Sequence, residues 1–233
     1  MNSENSLIAF LYAGDEKFSI SIKENFSDHS YEDNKKVINI SKNDYFFQLN
    51  IFLNSNIFKI EKTFKKFVKN IFLIIDRREF IKIKLSVKKK NYGNTVNFEK
   101  LNLLLKDAIS QIKENNHDFL LTHIVIRRYF IDGKYYSFLP KGLKCENLCV
   151  DLDFICLSKL FVLNYENILS EYQVKINRIL SADYIRNCFH DEDLDIFSMS
   201  QKIIEGHNIN EIILVPKKRK NLGFFEKFFN IFS

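Results

Sequence analysis

The sequence predicts an α+β protein in which short strands and amphipathic helices alternate around small sheets. Three observations carry this. Apolar residues recur with period two, as where Phe18, Ile20 and Ile22 alternate with Ser19, Ser21 and Lys23. Other stretches place them at helical spacing, as in Leu101, Leu104, Leu105, Ala108, Ile109 and Ile112. With 233 residues and 46% hydrophobic content, the chain can bury a core as one large domain or two small ones.

The elements follow in order. "LIAFLYAGDEKFSISIKE" holds two β-rich runs around Ala13-Gly14-Asp15 and reads as a hairpin. Residues 25–36 are polar and read as a loop. "YFFQLNIFL" fits a helix or a strand equally. Ile60, Phe64, Phe67, Val68 and Ile71 then fall at i, i+4, i+7, i+8 and i+11, one face of a helix whose lysines face water. "FLIID" reads as a buried strand. "IKIKLSVK" is half-buried, with Ile81, Ile83, Leu85 and Val87 on one face and Lys82, Lys84 and Ser86 on the other. Gly93 marks a turn before a helix from Asn97 to Ile112. "THIVIRRYFID" is a strand ended by a turn at Asp132-Gly133, and "YYSFL" returns. "LCVDLDFICL" is another strand, with Asp151 and Asp153 on its wet face. "SKLFVLNYENILSEY" is a helix with Ser158 as N-cap, and "VKINRILSA" a last short strand. From residue 80 to this strand the pattern predicts one small sheet with helices on it. Residues 186–215, ending in "EIILV", close on the first part of the chain.

Composition narrows the function classes. Net charge is +6, from 35 Lys and Arg against 29 Asp and Glu, which favours an acidic partner such as nucleic acid or anionic lipid. Abundant Lys, Asn, Ile and Phe beside 6 Gly, 2 Pro and no Trp also match A+T-rich codons, so local charge placement counts for more. "MNSENSLIAF" lacks the features of a secretory signal. No apolar run approaches the roughly 18 residues of a membrane span, so a cytosolic protein is expected. Cys145, Cys149, Cys156 and Cys188 lie in or near apolar runs and read as reduced thiols, not a zinc site.

No phosphate-binding glycine motif is present. Gly14 follows a strand, but Asp15 and Glu16 beside it would repel phosphate. The five histidines do not cluster, and "HDEDLD" reads as a solvated loop or helix start rather than a metal site. Asp151 and Asp153 share a face, yet no cleft is marked around them. "RREFIKIKLSVKKKNYG" comes nearest to a nucleic-acid motif, but its apolar residues alternate as a core face does. The residues point to no enzyme, no cofactor and no metal.

Residues 80–185 resemble the 1C (SHS2) subdomain of FtsA, the actin-like membrane tether of bacterial cell division. The carrying residues are "LTHIVIRRYFIDGKYYSFLPKGLKCENLCVDLDFICLSKL" and "YENILSEYQVKINRILSADYI", with the Asp132-Gly133 turn and the Pro140-x-Gly142 step in the family's order. Residues 1–79 resemble a remnant 1A subdomain. In its phosphate hairpin Gly14 and Lys17 fit, whereas Tyr12 holds the acidic position and Asp15 the hydroxyl position. Only about 50 residues follow Ala182, too few for a second actin lobe. PilM-type pilus proteins share the superfamily but match less well. The resemblance implies a reduced, non-enzymatic FtsA-like scaffold at the division site, binding divisome proteins or its own copies. It leaves the ATP site and the FtsZ-tail surface unprovided. The alternatives are a degenerate actin-like nucleotide-binding protein and a basic RNA-binding module.

Residues 216–233 read as a membrane-targeting tail, as the family's C-terminal helix would be. On a helical wheel Leu222, Phe224, Phe225, Phe228, Phe229, Ile231 and Phe232 share one half. Asn221, Gly223, Glu226, Lys227, Asn230 and Ser233 take the other. The competing arrangement is a terminal helix docked on the protein's own core. Lys217, Lys218, Arg219 and Lys220 argue for lipid, because an anionic leaflet rewards each charge by about 1 kcal/mol. Partial burial of seven apolar side chains supplies on the order of 7–10 kcal/mol. Ordering the helix takes back about 1 kcal/mol per residue. The expected anchor is weak and reversible, on the cytoplasmic face of the inner membrane.

Overall fold

Leu7–Gly14 (β1) and Lys17–Glu24 (β2) form an antiparallel hairpin turned by Asp15 and Glu16, with Ala13 opposite Phe18. The computed structural model of which they are part describes residues 7–24, 29–37, 42–189 and 193–213. It is a mixed α+β structure with two sheets and five helices among those residues.

The hairpin begins a five-stranded sheet. Part of the stretch expected to be a loop is a strand, Ser30–Lys36 (β3), paired antiparallel with β2. As an edge strand it needs no apolar face, and its charged residues blunt an exposed edge. Its hold on the body includes Tyr31, whose hydroxyl donates to Oδ1 of the buried Asn56 at 2.6 Å.

The ambiguous aromatic run belongs to a helix, Lys42–Phe64 (α1), which buries Tyr45, Leu49, Phe52, Leu53, Ile57 and Ile60. It stops short of the predicted end. Lys65 turns left-handed at φ 53°, so Phe67 is 76% exposed and Ile71 lies in the next strand. The helical spacing across 60–71 joined residues of two different elements. Asn70–Asp76 (β4) runs parallel to β1, and Lys175–Ser181 (β9) runs parallel to β4, giving the order β3-β2-β1-β4-β9.

Both faces of this sheet are covered. On one, Leu11, Phe18, Ile20, Ile22 and Leu73 pack against α1 and Lys159–Glu171 (α3). On the other, Phe10, Tyr12, Ile74 and Leu180 meet Ala182–Cys188 (α4) and Ile196–Ile204 (α5). Ser158 stands at the N-cap of α3 without a side-chain capping bond, whereas Asp195 of "HDEDLD" caps α5 through Phe197 and Ser198.

The second sheet has the order β5-β8-β6-β7 and is antiparallel throughout. Its strands are Ile81–Lys90 (β5), Phe119–Ile131 (β6), Lys134–Tyr136 (β7) and Asn147–Ser158 (β8). One helix, Phe98–Asn115 (α2), seals one face through Leu101, Leu104, Leu105, Ala108 and Ile112, after Asn97 caps its start. The single sheet predicted from residue 80 onward needs correcting. The chain leaves the first sheet after β4, builds the second, and returns through α3 to lay β9 beside β4. An apolar strand's own pattern does not name its partner, and β9 is buried against α3 and α4 instead.

Candidate functional site

The carboxyl ends of parallel strands are where an open α/β sheet takes ligands. Here β1 and β4 end at Tyr12, Gly14 and Asp76. Tyr12 folds its ring back over Gly14, where an added Cβ would lie 2.9 Å from Cε1 of that ring. The Tyr12 hydroxyl donates to Asp76 Oδ2. Arg186 on α4 grips both oxygens of Asp76, from Nη1 at 2.9 Å and from Nη2 at 2.6 Å. Lys17 Nζ stands 5.6 Å from the Tyr12 ring centroid. The Arg186 fork holds the Asp76 carboxyl below its usual range, and burial pushes the Tyr12 phenol up. The place that a phosphate-binding hairpin would offer is filled by the protein's own ring and ion pair.

The turn residues singled out in the sequence hold loops. Asp132 and Gly133, at φ 43° and 87°, form the two-residue turn from β6 to β7. The Asp132 carboxylate also accepts from the amides of Glu146 at 2.9 Å and Asn147 at 2.8 Å, which holds its pKa down. Pro140 accepts from the amide of Leu143 at 3.4 Å around Gly142, at φ 78°, and the Gly142 amide donates to Val96 at 3.3 Å. These four residues fasten the connection to β8 against the chain entering α2 and converge on no cleft. Lys217, Lys218, Arg219, Lys220, Leu222, Phe224, Phe225, Phe228, Phe229, Ile231 and Phe232 lie outside the described residues.

Between the two sheets lies a buried cluster that sequence reasoning missed. Glu211, just after α5, accepts from His123 Nδ1 on β6 at 2.8 Å and pairs with Arg178 on β9. His123 Nε2 accepts from the Ser181 amide at 3.0 Å, so its proton sits on Nδ1. Tyr184 packs on the imidazole, with ring centroids 4.2 Å apart and planes tilted by 39°, and its oxygen accepts from Asn208 at 2.9 Å. Burial lowers the His123 pKa despite the carboxylate beside it. Burial acts to raise that of Glu211, but His123 and Arg178 outweigh it and the net shift is downward. The pair is a neutral imidazole donating to a carboxylate. Both ring nitrogens are committed and the side chain has no exposed surface, which suits a latch better than a general base. The sequence signal was there in faint form, a lone His inside "THIVI" and a lone Glu opening "IILV".

A cleft of 480 Å³ opens above this cluster, lined by Lys82, Arg127 and Asp153 from the second sheet and Tyr184 and Asn187 from α4. Asp153 is buried and bonds Lys82 Nζ at 2.8 Å and Arg127 Nε at 2.5 Å, so it is not the solvated acid that alternation predicted. The four cysteines are free, and burial raises the Cys156 thiol to about 11. No helix among the described residues is long and apolar enough to cross a membrane.

No protein-family model matches this chain, and no curated protein matches it either. Among solved structures, one similar chain comes from a PilM-PilN type IV pilus biogenesis complex, with TM-score 0.49 and 7% identity. The alignment covers 78% of this chain and 49% of that one, so the present chain spans about half its length.

Proposed function

We propose that this chain is a non-enzymatic, actin-like scaffold of the FtsA type, which attaches peripherally to an anionic membrane and binds division proteins. An antiparallel meander followed by parallel strands, with a second sheet inserted after β4, is what an actin-type 1A half with a 1C-like insertion requires. The observation that carries the non-enzymatic part is the closed hairpin. A triphosphate seated at Gly14 would have to displace the Tyr12 ring and face the Asp76 carboxylate.

Calorimetry with magnesium ATP tests this, and no binding heat is expected. Micromolar ATP binding would favour the degenerate nucleotide-binding reading. The membrane part rests on the helical pattern of residues 217–232. Full-length protein should co-sediment with anionic vesicles and a form ending at Val215 should not; equal pelleting ends that part of the reading.

A further inference from the structure

The second sheet has two unlike faces. α2 seals one. The other is covered at one end, where Val125 and Ile155 join the core beneath α4 and α5, and is open beyond it. On the open part Lys82, Lys84, Ser86, Lys88 and Lys90 alternate along β5, about 6.6 Å apart by strand geometry. Arg127 and Arg128 project from an irregularity in β6, and Arg128 lies 4.4 Å from the Tyr135 ring centroid on β7.

The acids that alternation puts on this face are already engaged. Asp153 holds Lys82 and Arg127, while Asp151 holds Arg128 at 2.6 Å and Ser86 at 2.6 Å. Lys84 and Lys88 are exposed and make no ion pair among the described residues. The result is an open face with surplus positive charge spread across neighbouring strands, dished between Lys84 and Arg128 by a hollow of about 360 Å³.

The last described residues lie beside this sheet. Ile126 donates to Asn210 at 2.9 Å and Ile212 donates to Ile124 at 2.8 Å, so residues 210–212 run along the free edge of β6. Seven residues of any chain span at most roughly 25 Å, which is the most that can separate Ile213 from Lys220, just before the tail's apolar pattern. The apolar half of the tail and the basic face can therefore meet one plane.

We propose that the open face of the second sheet, centred on Lys84 and Lys88, lies against an anionic lipid bilayer and fixes the body's orientation on it. This rests on the membrane reading of the tail for delivery, but makes a separate claim about the body. A bilayer offers a broad surface of fixed negative charge, which suits cations spread over three neighbouring strands. A single nucleic-acid strand asks for several free aromatic platforms amid the cations, whereas Phe130 is half-buried and the one exposed ring on this face, Tyr135 at 60%, already carries Arg128 at 4.4 Å from its centroid.

The test uses full-length protein and vesicles of phosphatidylcholine with and without phosphatidylglycerol. Lys84→Glu with Lys88→Glu should lower partitioning onto anionic vesicles at least about tenfold. A matched reversal on α1, Lys59→Glu with Lys62→Glu, should change it less than about threefold, and the thermal melts of both should stay near that of the parent. Because the chain has no Trp, Tyr135→Trp places a single reporter at the margin of the face, and brominated lipids should quench it. Equal losses from the two charge reversals, or an unquenched reporter, would overturn the proposal. So would tighter binding to polyuridylate that vesicles do not displace. Phe224→Ser with Phe228→Ser separates the two claims. If it binds like the parent while the Lys84 and Lys88 reversal does not, the tail reading fails and the face stands. The opposite pattern overturns the face and leaves the tail reading intact.

Discussion

The two sheets are built from similar residues and treated differently. The first is sandwiched between helices, so even Ser19 and Ser21, the polar side of an alternating strand, are buried. The second is sealed by one helix on one face and covered only at one end on the other, and the lysines of β5 stay in water. Alternation thus fixes which residues share a side but not whether that side is wet. What decides it is a later piece of chain. α4 and α5 close over the first sheet, and the segment behind them is tied to both sheets through Glu211.

If the first sheet is a two-sided core, Phe18→Ala should cost about 3–5 kcal/mol by denaturant unfolding. Val87→Ala on the one-sided sheet should cost about 1 kcal/mol; equal losses would erase the distinction. Glu211→Ala strands His123 and Arg178 together, and about 3 kcal/mol is expected. Asp151→Ala, at an exposed pair, should cost under about 1 kcal/mol.

Acid should act on the same latch. The folded pKa of His123 is depressed below its unfolded value of 6.5, so its contribution is full above that pH and is lost as pH falls through and below it. One such group changes stability by at most about 1.4 kcal/mol per pH unit. Glu211, also depressed, extends the loss below its ordinary value of 4.5. His123→Gln should flatten the upper part of that slope in pH-dependent melts.

Gly14→Ala forces the Tyr12 ring to move and should cost about 1–3 kcal/mol. In a Tyr12→Ala background the same change should cost less, and an unchanged cost would mean that the ring is not what Gly14 accommodates. Lys84→Ala should stay within about 0.5 kcal/mol in stability.

Much of the second sheet was legible, because β5 buries one side only, β6 and β8 are long β-rich apolar runs, and the turn at Asp132-Gly133 carries its own conformational signature. β3 was not, since an edge strand is defined by its ladder to β2 rather than by apolar residues. The sheet membership of β9 was also hidden, because register with β4 depends on the fold of everything between them. Of the candidate sites, the tail could be read as a helical pattern without knowing its surroundings. The Tyr12, Asp76 and Arg186 closure could not, since it joins three elements distant in sequence.

The return of β9 to the first sheet has a consequence for synthesis. Asn70 pairs with Lys175, roughly a hundred residues later, so the first sheet cannot be completed while the ribosome is still making the second. Until then β4 exposes an apolar, unpaired edge, the kind of surface that recruits chaperones or other nascent chains. The inserted sheet, with its local antiparallel pairings, can form in the meantime. During that interval the incomplete molecule already presents the exposed lysines of β5 to water.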